Sequence, residues 1–397
     1  MKFYLTTGSA ARAALFGVIA LCAAWVSAAD EGESFHRFWP DNLFAVEFVT
    51  AQTGYIAGQA GTVLRTTDGG ESWDALYIGK NELIRRVSFV SEKEGWAVGH
   101  RGSIFHTADA GNSWEVQHEM PGIYLRDVSF LDKEHGWVVG HDATILHTKD
   151  GGVSWQAQQM RGFTGRDLPR FHGVYVKDMN TAVIVGEFGT VTHTENGGEL
   201  WTVTPGVADT TWLTVGGAGD LIFLAGLDGN TAYLSFANDE QRAEFDREKL
   251  EQAAKDEAKA RKKAKRRKKT YVPKVVEAIP RSSIEYLFNP IDSGSKEHMF
   301  DLAMGSDGSA VVVGRSSAIR LTPEKAQPFT ASAELPLDFV WFGGISMTPA
   351  GDFWVVGIRG LVGHSDALGE IISPALNLGV SDNIRLVTNQ WMKNNGQ

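Results

Sequence analysis

Thr66-Thr-Asp-Gly-Gly-Glu-Ser-Trp73 returns as Thr107-Ala-Asp-Ala-Gly-Asn-Ser-Trp114, Thr148-Lys-Asp-Gly-Gly-Val-Ser-Trp155 and Thr194-Glu-Asn-Gly-Gly-Glu-Leu-Trp201. The tryptophans lie 41, 41 and 46 residues apart, a period that signals repeated supersecondary units. Upstream of each box stands a second landmark: Gly54-Tyr-Ile-Ala-Gly58, Gly95-Trp-Ala-Val-Gly99, Gly136-Trp-Val-Val-Gly140 and Ala182-Val-Ile-Val-Gly186. It continues where the boxes stop, in Leu221-Ile-Phe-Leu-Ala-Gly226, Ala310-Val-Val-Val-Gly314 and Phe353-Trp-Val-Val-Gly357, so about seven units fill the chain.

Each unit reads as four short strands. In the second, Arg85–Val90 is strand A, Gly95–Gly99 strand B, Ser103–Thr107 strand C and Trp114–Gln117 strand D. Four-stranded sheets repeated radially define an all-β fold, a seven-bladed β-propeller whose C–D hairpins carry the boxes. Asp68, Asp109, Asp150 and Asn196 are placed to accept hydrogen bonds from turn amides. Gly70, Gly111, Gly152 and Gly198 supply the positive φ such a turn needs. Trp73, Trp114, Trp155 and Trp201 are expected to plug the gaps between blades.

Composition agrees. The 397 residues include 44 glycines and 12 tryptophans, suited to many turns and aromatic-packed strands. The single cysteine, Cys22, rules out an internal disulfide and a cysteine-ligated metal. Cys22 lies in an apolar N-terminal run behind Lys2 and Arg12, and Val26-Ser-Ala-Ala29 follows it, so residues 1–29 read as a signal peptide for export to a periplasm or a lumen-like space. A lipid anchor at Cys22 is disfavoured by Leu21 before it. The domain reading is then residues 30–237 for blades one to five, 238–285 for a charged insertion, and 286–397 for blades six, seven and closure.

The insertion is rich in Glu, Lys, Ala and Arg, which predicts helix. Its second part, Lys259 to Lys269, carries nine basic residues and no acid, whereas the chain without insertion and signal stands at about −17. Lys262, Lys263, Lys265, Arg266, Arg267, Lys268 and Lys269 are therefore expected to meet anionic lipid, since an exported chain rarely encounters nucleic acid.

The boxes are the Asp-box, or BNR, repeat. Together with Gly-Trp-x-Val-Gly and a signal peptide they resemble the photosystem II stability and assembly factor family of seven-bladed propellers. That resemblance implies a non-catalytic, monomeric scaffold that takes no cofactor and binds a membrane-protein complex or its assembly intermediate, with photosynthesis implied by kinship alone. Related propellers also serve as accessories of envelope transporters of the RND type, a second expectation. Sialidases share the Asp-box, but their Arg-Ile-Pro motif is here Arg37-Phe-Trp-Pro40, and Glu285-Tyr286 is the sole imitation of the nucleophile pair.

His106, His147 and His193 recur at one repeat position and read as structural; no His-x-x-x-His or Cys-x-x-Cys ligand pattern appears, and no nucleotide motif. Strand A runs antiparallel to B, so the start of A and the end of B share one rim, opposite the boxes. That rim gathers Arg85, Arg126 and His172 at the starts of A, and Gln59, His100, His141, Glu187 and Arg315 at the ends of B, with Arg101 and Arg359 one residue further. Varied polar residues at equivalent positions, several cationic on an acidic body, mark a partner-binding rim.

Overall fold

A computed structural model of the chain describes residues 42–161, 163, 167–266, 286–332, 335, 337, 340–366, 371–377 and 384–386. The signal peptide, Cys22, Arg37, Arg267, Lys268, Lys269 and Glu285 lie outside them. Among the described residues no helix is long and apolar enough to cross a membrane.

Seven sheets form, each built on four strands adjacent in chain order, and three of them gain a fifth, parallel strand at the outer edge. The A strands are Leu43–Phe48, Ile84–Phe89, Leu125–Phe130, Phe171–Val176, Trp212–Ala218, Met299–Met304 and Phe342–Met347. Each packs beside the A strand of the next sheet, and the last packs beside the first, so the ring closes. In the second blade strand A starts one residue earlier than the sequence suggested, at Ile84, and strand D covers Glu115–Glu119.

An apolar cluster fills each interface between neighbouring blades, seven in all. At the seam, Trp354 of blade seven stacks on Phe48 at 5.1 Å and meets the edge of Trp73 at 5.9 Å. Trp73 and Trp201 are fully buried, Trp114 and Trp155 partly so. The repeated histidines also pack on tryptophans: His147 is buried and stacks on Trp137 at 4.0 Å, and the partly buried His106 lies tilted against Trp96 at 5.0 Å.

The B strands explain their landmark. Each ends in glycine, and in six of the seven the backbone before strand A passes directly over it; over Gly99 lies the buried Glu82 side chain. A Cβ on Gly314 would lie 1.9 Å from the His298 carbonyl oxygen, and one on Gly357 1.9 Å from that of Trp341. Carbonyl oxygens cannot swing aside as a side-chain tip can, so the position admits glycine alone.

The boxes fold as read. The Asp68 carboxylate accepts from the Ser72 amide at 2.9 Å and from the Thr66 hydroxyl at 2.8 Å. Asn196 does the same for Leu200 and Thr194, both at 3.0 Å, so loss of charge leaves the turn intact. Gly70 sits at φ 91°.

Two features depart from or complete the sequence reading. The insertion leaves from inside blade five, not between the fifth and sixth units: Asn230–Phe236 is its strand C, and Tyr286–Asp292 pairs with it antiparallel over seven residues as strand D. No box marks that hairpin, which is why the boundary could not be read. The helix Asp239–Arg266 thus replaces the blade-five box. It opens on a capping box, with the Gln241 amide donating to Asn238 Oδ1 at 2.9 Å and the Asn238 amide to Gln241 Oε1 at 3.0 Å. At the other end of the chain, Ile384–Leu386 adds a parallel fifth strand to the outer edge of blade one, beside Trp73–Tyr77.

Candidate functional site at the channel mouth

Every A strand carries a β-bulge at its second residue. Pairing skips from Ile84 to Arg86, from Leu125 to Asp127, from Phe171 to Gly173, and likewise in the other four blades. A bulge re-aims the extra side chain. The seven bulged residues are Phe44, Arg85, Arg126, His172, Leu213, Phe300 and Gly343, one per blade around the axis.

Six of them line a cavity of about 560 Å³ at the mouth, with Leu227, Arg315, Ser316, Val340 and Trp341. Its two sides differ in chemistry. Blades two and three present Arg85 and Arg126, with His172 of blade four at the next bulge but outside the lining, whereas Phe44 and Trp341, stacked at 5.6 Å, and Phe300, edge-on to Trp341 at 6.3 Å, make an apolar wall. The Arg85 guanidinium stands 5.4 Å from the Phe44 ring.

Neither Arg85 nor Arg126 forms an ion pair with a carboxylate among the described residues. Arg126 Nε and both ring nitrogens of His172 are buried without a hydrogen-bond partner. Burial, then repulsion from Arg126 and Arg86, lowers Arg85 to about 9. Burial followed by the two arginines lowers His172 to about 3, so it is neutral at pH 7. Buried cations without counter-charge are costly, and an anion supplied by a ligand would relieve that cost.

The other sequence candidates spread around this centre. Arg315 lines the mouth and lies 3.7 Å from Glu297. Glu187 is engaged by Arg170, which donates to it through both its backbone amide and its guanidinium. His100 and His141 flank Tyr124 just outside the ring. Arg101 and Arg359 are exposed in B–C turns and do not line the mouth cavity.

One layer deeper the channel is crossed. Arg86 donates from Nε to Asp127 at 3.0 Å and through both terminal nitrogens to Asp301 at 2.7 Å each. Asp301 also accepts from the Ile345 amide at 3.0 Å and the Thr214 hydroxyl at 3.2 Å, and Asp127 from the Val174 amide at 2.8 Å. The tie therefore joins six blades' inner edges and satisfies amides that edge strands leave unpaired. Burial works against the Arg86 charge, but the two aspartates outweigh it and hold the guanidinium protonated above the ordinary arginine range.

Below the tie lies a second cavity of about 330 Å³ reaching Glu47. Glu47 is half-buried in the channel, and burial pushes its carboxyl up to about 8 from 4.5. The folded state keeps a proton that the unfolded chain sheds above about pH 4.5, so this group draws stability down as pH rises toward 8. Glu47→Gln is expected to flatten that fall, its advantage over wild type growing by about 1–3 kcal/mol between pH 5 and pH 7.5 in urea unfolding. An equal difference at both pH values would refute the burial account.

Among the described residues no group of three or more His, Cys, Asp or Glu is placed to hold a metal ion. Tyr286 is fully buried, packed on Phe236 at 4.8 Å and edge-on to His193 at 5.0 Å, so it has no access to a substrate.

Fold and mouth together define a seven-bladed Asp-box β-propeller with a ligand-sized opening on its axis. Residues 34–123 and 115–207 match the family described as photosynthesis system II assembly factor YCF48. The match is to the family that the boxes resemble, and it covers residues 34–207, less than half of the chain. No curated protein matches the sequence. Among solved structures, YCF48 bound to D1 peptide is similar at 16% identity, covering 84% of this chain and 96% of that one with a TM-score of 0.56. YCF48 from Cyanidioschyzon merolae is similar at 17% identity, with 82% and 96% covered and a TM-score of 0.58. The GH74 enzyme of Niastella koreensis shares the fold at 9% identity, with 85% of this chain, 55% of that one and a TM-score of 0.59.

Proposed function

We propose that this protein is an exported, monomeric, non-catalytic scaffold that holds a carboxylate-bearing, apolar peptide segment of a membrane-protein complex or its assembly intermediate at the channel mouth. The observation that carries this reading is the pair of half-buried arginines, Arg85 and Arg126, unpaired among the described residues and facing an apolar wall. A guanidinium fork matches a carboxylate, and Phe44, Phe300 and Trp341 accept the side chain beside it. The solved relative with a bound D1 peptide supports a peptide as the ligand class. A scaffold role is further supported by the carboxylates nearest the mouth, Asp127 and Asp301, which are both committed to Arg86. The test is the affinity of the mature protein for peptides with free and amidated C-termini, with wild type compared to Arg85→Glu/Arg126→Glu. Preference for the free carboxylate, lost in the variant, is expected; equal affinity for both peptides would discard the assignment.

The helix supplies a second contact on the opposite, box-bearing face. Its acids end at Glu257; Arg261 pairs with Glu257 at 2.9 Å, whereas Lys262, Lys263, Lys265 and Arg266 are exposed and form no ion pair among the described residues. At about 1.5 Å per residue the helix carries this charge some 40 Å along its axis, where anionic lipid headgroups would meet it. Co-sedimentation with phosphatidylglycerol-containing vesicles should fall at least fivefold in Lys262→Glu/Lys263→Glu/Lys265→Glu/Arg266→Glu; undiminished binding removes the lipid contact.

A further inference from the structure

Just outside the arginine ring, one strand further from the axis, an aromatic shelf stands in the rim of blades two and three. Tyr124 precedes strand A of blade three, and its ring stacks on His100 at 4.0 Å with 15° between planes, while His141 meets it edge-on at 4.9 Å. The backbone below is fixed: the His141 amide donates to the Tyr124 carbonyl at 2.9 Å and the His100 amide to the Leu83 carbonyl at 2.9 Å. Gly140 underneath has no room for a Cβ, which would meet the Tyr124 carbonyl at 2.5 Å. Tyr124 is nevertheless 41% exposed, one of few large apolar side chains left open to solvent on this chain.

The shelf is uncharged at neutral pH. Burial first, and then the positive field of Arg126, lowers both His100 and His141 below the ordinary histidine value. Three flat rings in a rigid, neutral array beside two cations divide the rim into an anion seat and an aromatic seat. Because Gly99 pairs with Ile84 and Gly140 with Leu125, His100 and His141 follow the strand-B residues directly beside the starts of the arginine-bearing strands. Neighbouring strands lie about 4.8 Å apart, and an extended chain advances about 3.3 Å per residue. A peptide whose terminal carboxylate rests on the arginines and which runs outward over blades two and three therefore reaches the shelf within its next two residues.

We propose that His100, Tyr124 and His141 form a second subsite that takes an aromatic side chain of the bound peptide two residues before its terminal carboxylate. This inference rests on the reading of the mouth as a carboxylate seat. It makes the shelf a determinant of specificity, separate from the arginines that supply the anchor. Offset or edge-on ring packing adds about 0.5–1.5 kcal/mol beyond burial, which corresponds to a preference of about three- to tenfold.

The experiment uses two synthetic hexapeptides, Gly-Ser-Gly-Trp-Ser-Leu and Gly-Ser-Gly-Ser-Ser-Leu, both with free C-termini, and the mature protein in calorimetric titrations. The tryptophan peptide is expected to bind wild type about fivefold more tightly, with the gap closing to under twofold in Tyr124→Ala and persisting in Tyr124→Phe. Arg85→Glu/Arg126→Glu should lose both peptides alike. Equal binding of the two peptides to wild type, or a tryptophan preference that survives Tyr124→Ala, overturns the shelf and leaves the mouth standing. Failure of both peptides to bind wild type overturns the carboxylate seat and the shelf with it.

Discussion

Asp301→Ala is expected to destabilise the propeller by about 3–5 kcal/mol, a larger loss than at any exposed position of the rim. The side chain is 2% exposed and accepts both arms of the Arg86 fork. Its removal leaves the guanidinium in the channel with Asp127 alone, and it strips the Ile345 amide and the Thr214 hydroxyl of their partner. The loss is that of a buried charge left unbalanced, which exceeds the net worth of the intact pair. Asp301→Asn retains an acceptor for Ile345 and should lose less. Urea unfolding at pH 7 measures both; a change under about 1 kcal/mol for the alanine variant would mean that water in the channel compensates Arg86 in place of the aspartate.

Charge reversal at the mouth should have the largest effect on binding. Arg85→Glu/Arg126→Glu replaces two donors facing the ligand carboxylate with two acceptors that repel it, and a loss above about a hundredfold is expected, since truncating even one partner of a buried charge pair costs about 2–5 kcal/mol. Lysine at both positions keeps the charge and loses the planar fork, so about tenfold weaker binding should remain. Stability separates this from misfolding. Neither guanidinium pairs with a carboxylate among the described residues, so the variants break no ion pair and should unfold at about the same urea concentration as wild type. A variant that loses binding and stability together would reassign these arginines to the architecture.

The mouth was only partly legible in the sequence. Repeat alignment brought Arg85, Arg126 and His172 to one position; all three are the bulged residues of their strands, and Arg85 and Arg126 line the mouth. Their apolar counterparts Phe44, Leu213, Phe300 and Gly343 occupy the same repeat position and carry the signal equally, but they do not announce themselves as polar residues at a rim. Arg101 and Arg359 looked equivalent to the others and are not, because the B–C turns carry them outward. The Arg86 tie could not be foreseen: simple alternation puts residues one apart on opposite faces, and the bulge lets both Arg85 and Arg86 face the channel at different depths.

The sequence alone determined the blades, their number and the four box hairpins. A box aspartate bonds amides four residues away, and a strand-closing glycine answers to backbone in its own sheet, so such short-range rules survive in the linear text. Tertiary structure alone decided what meets across the axis: Arg86 grips Asp301 from 215 residues away. It also decided which face the basic helix leaves from, and which residues enclose the opening. Ring closure creates those neighbours, and no segment of the chain contains both members of such a pair.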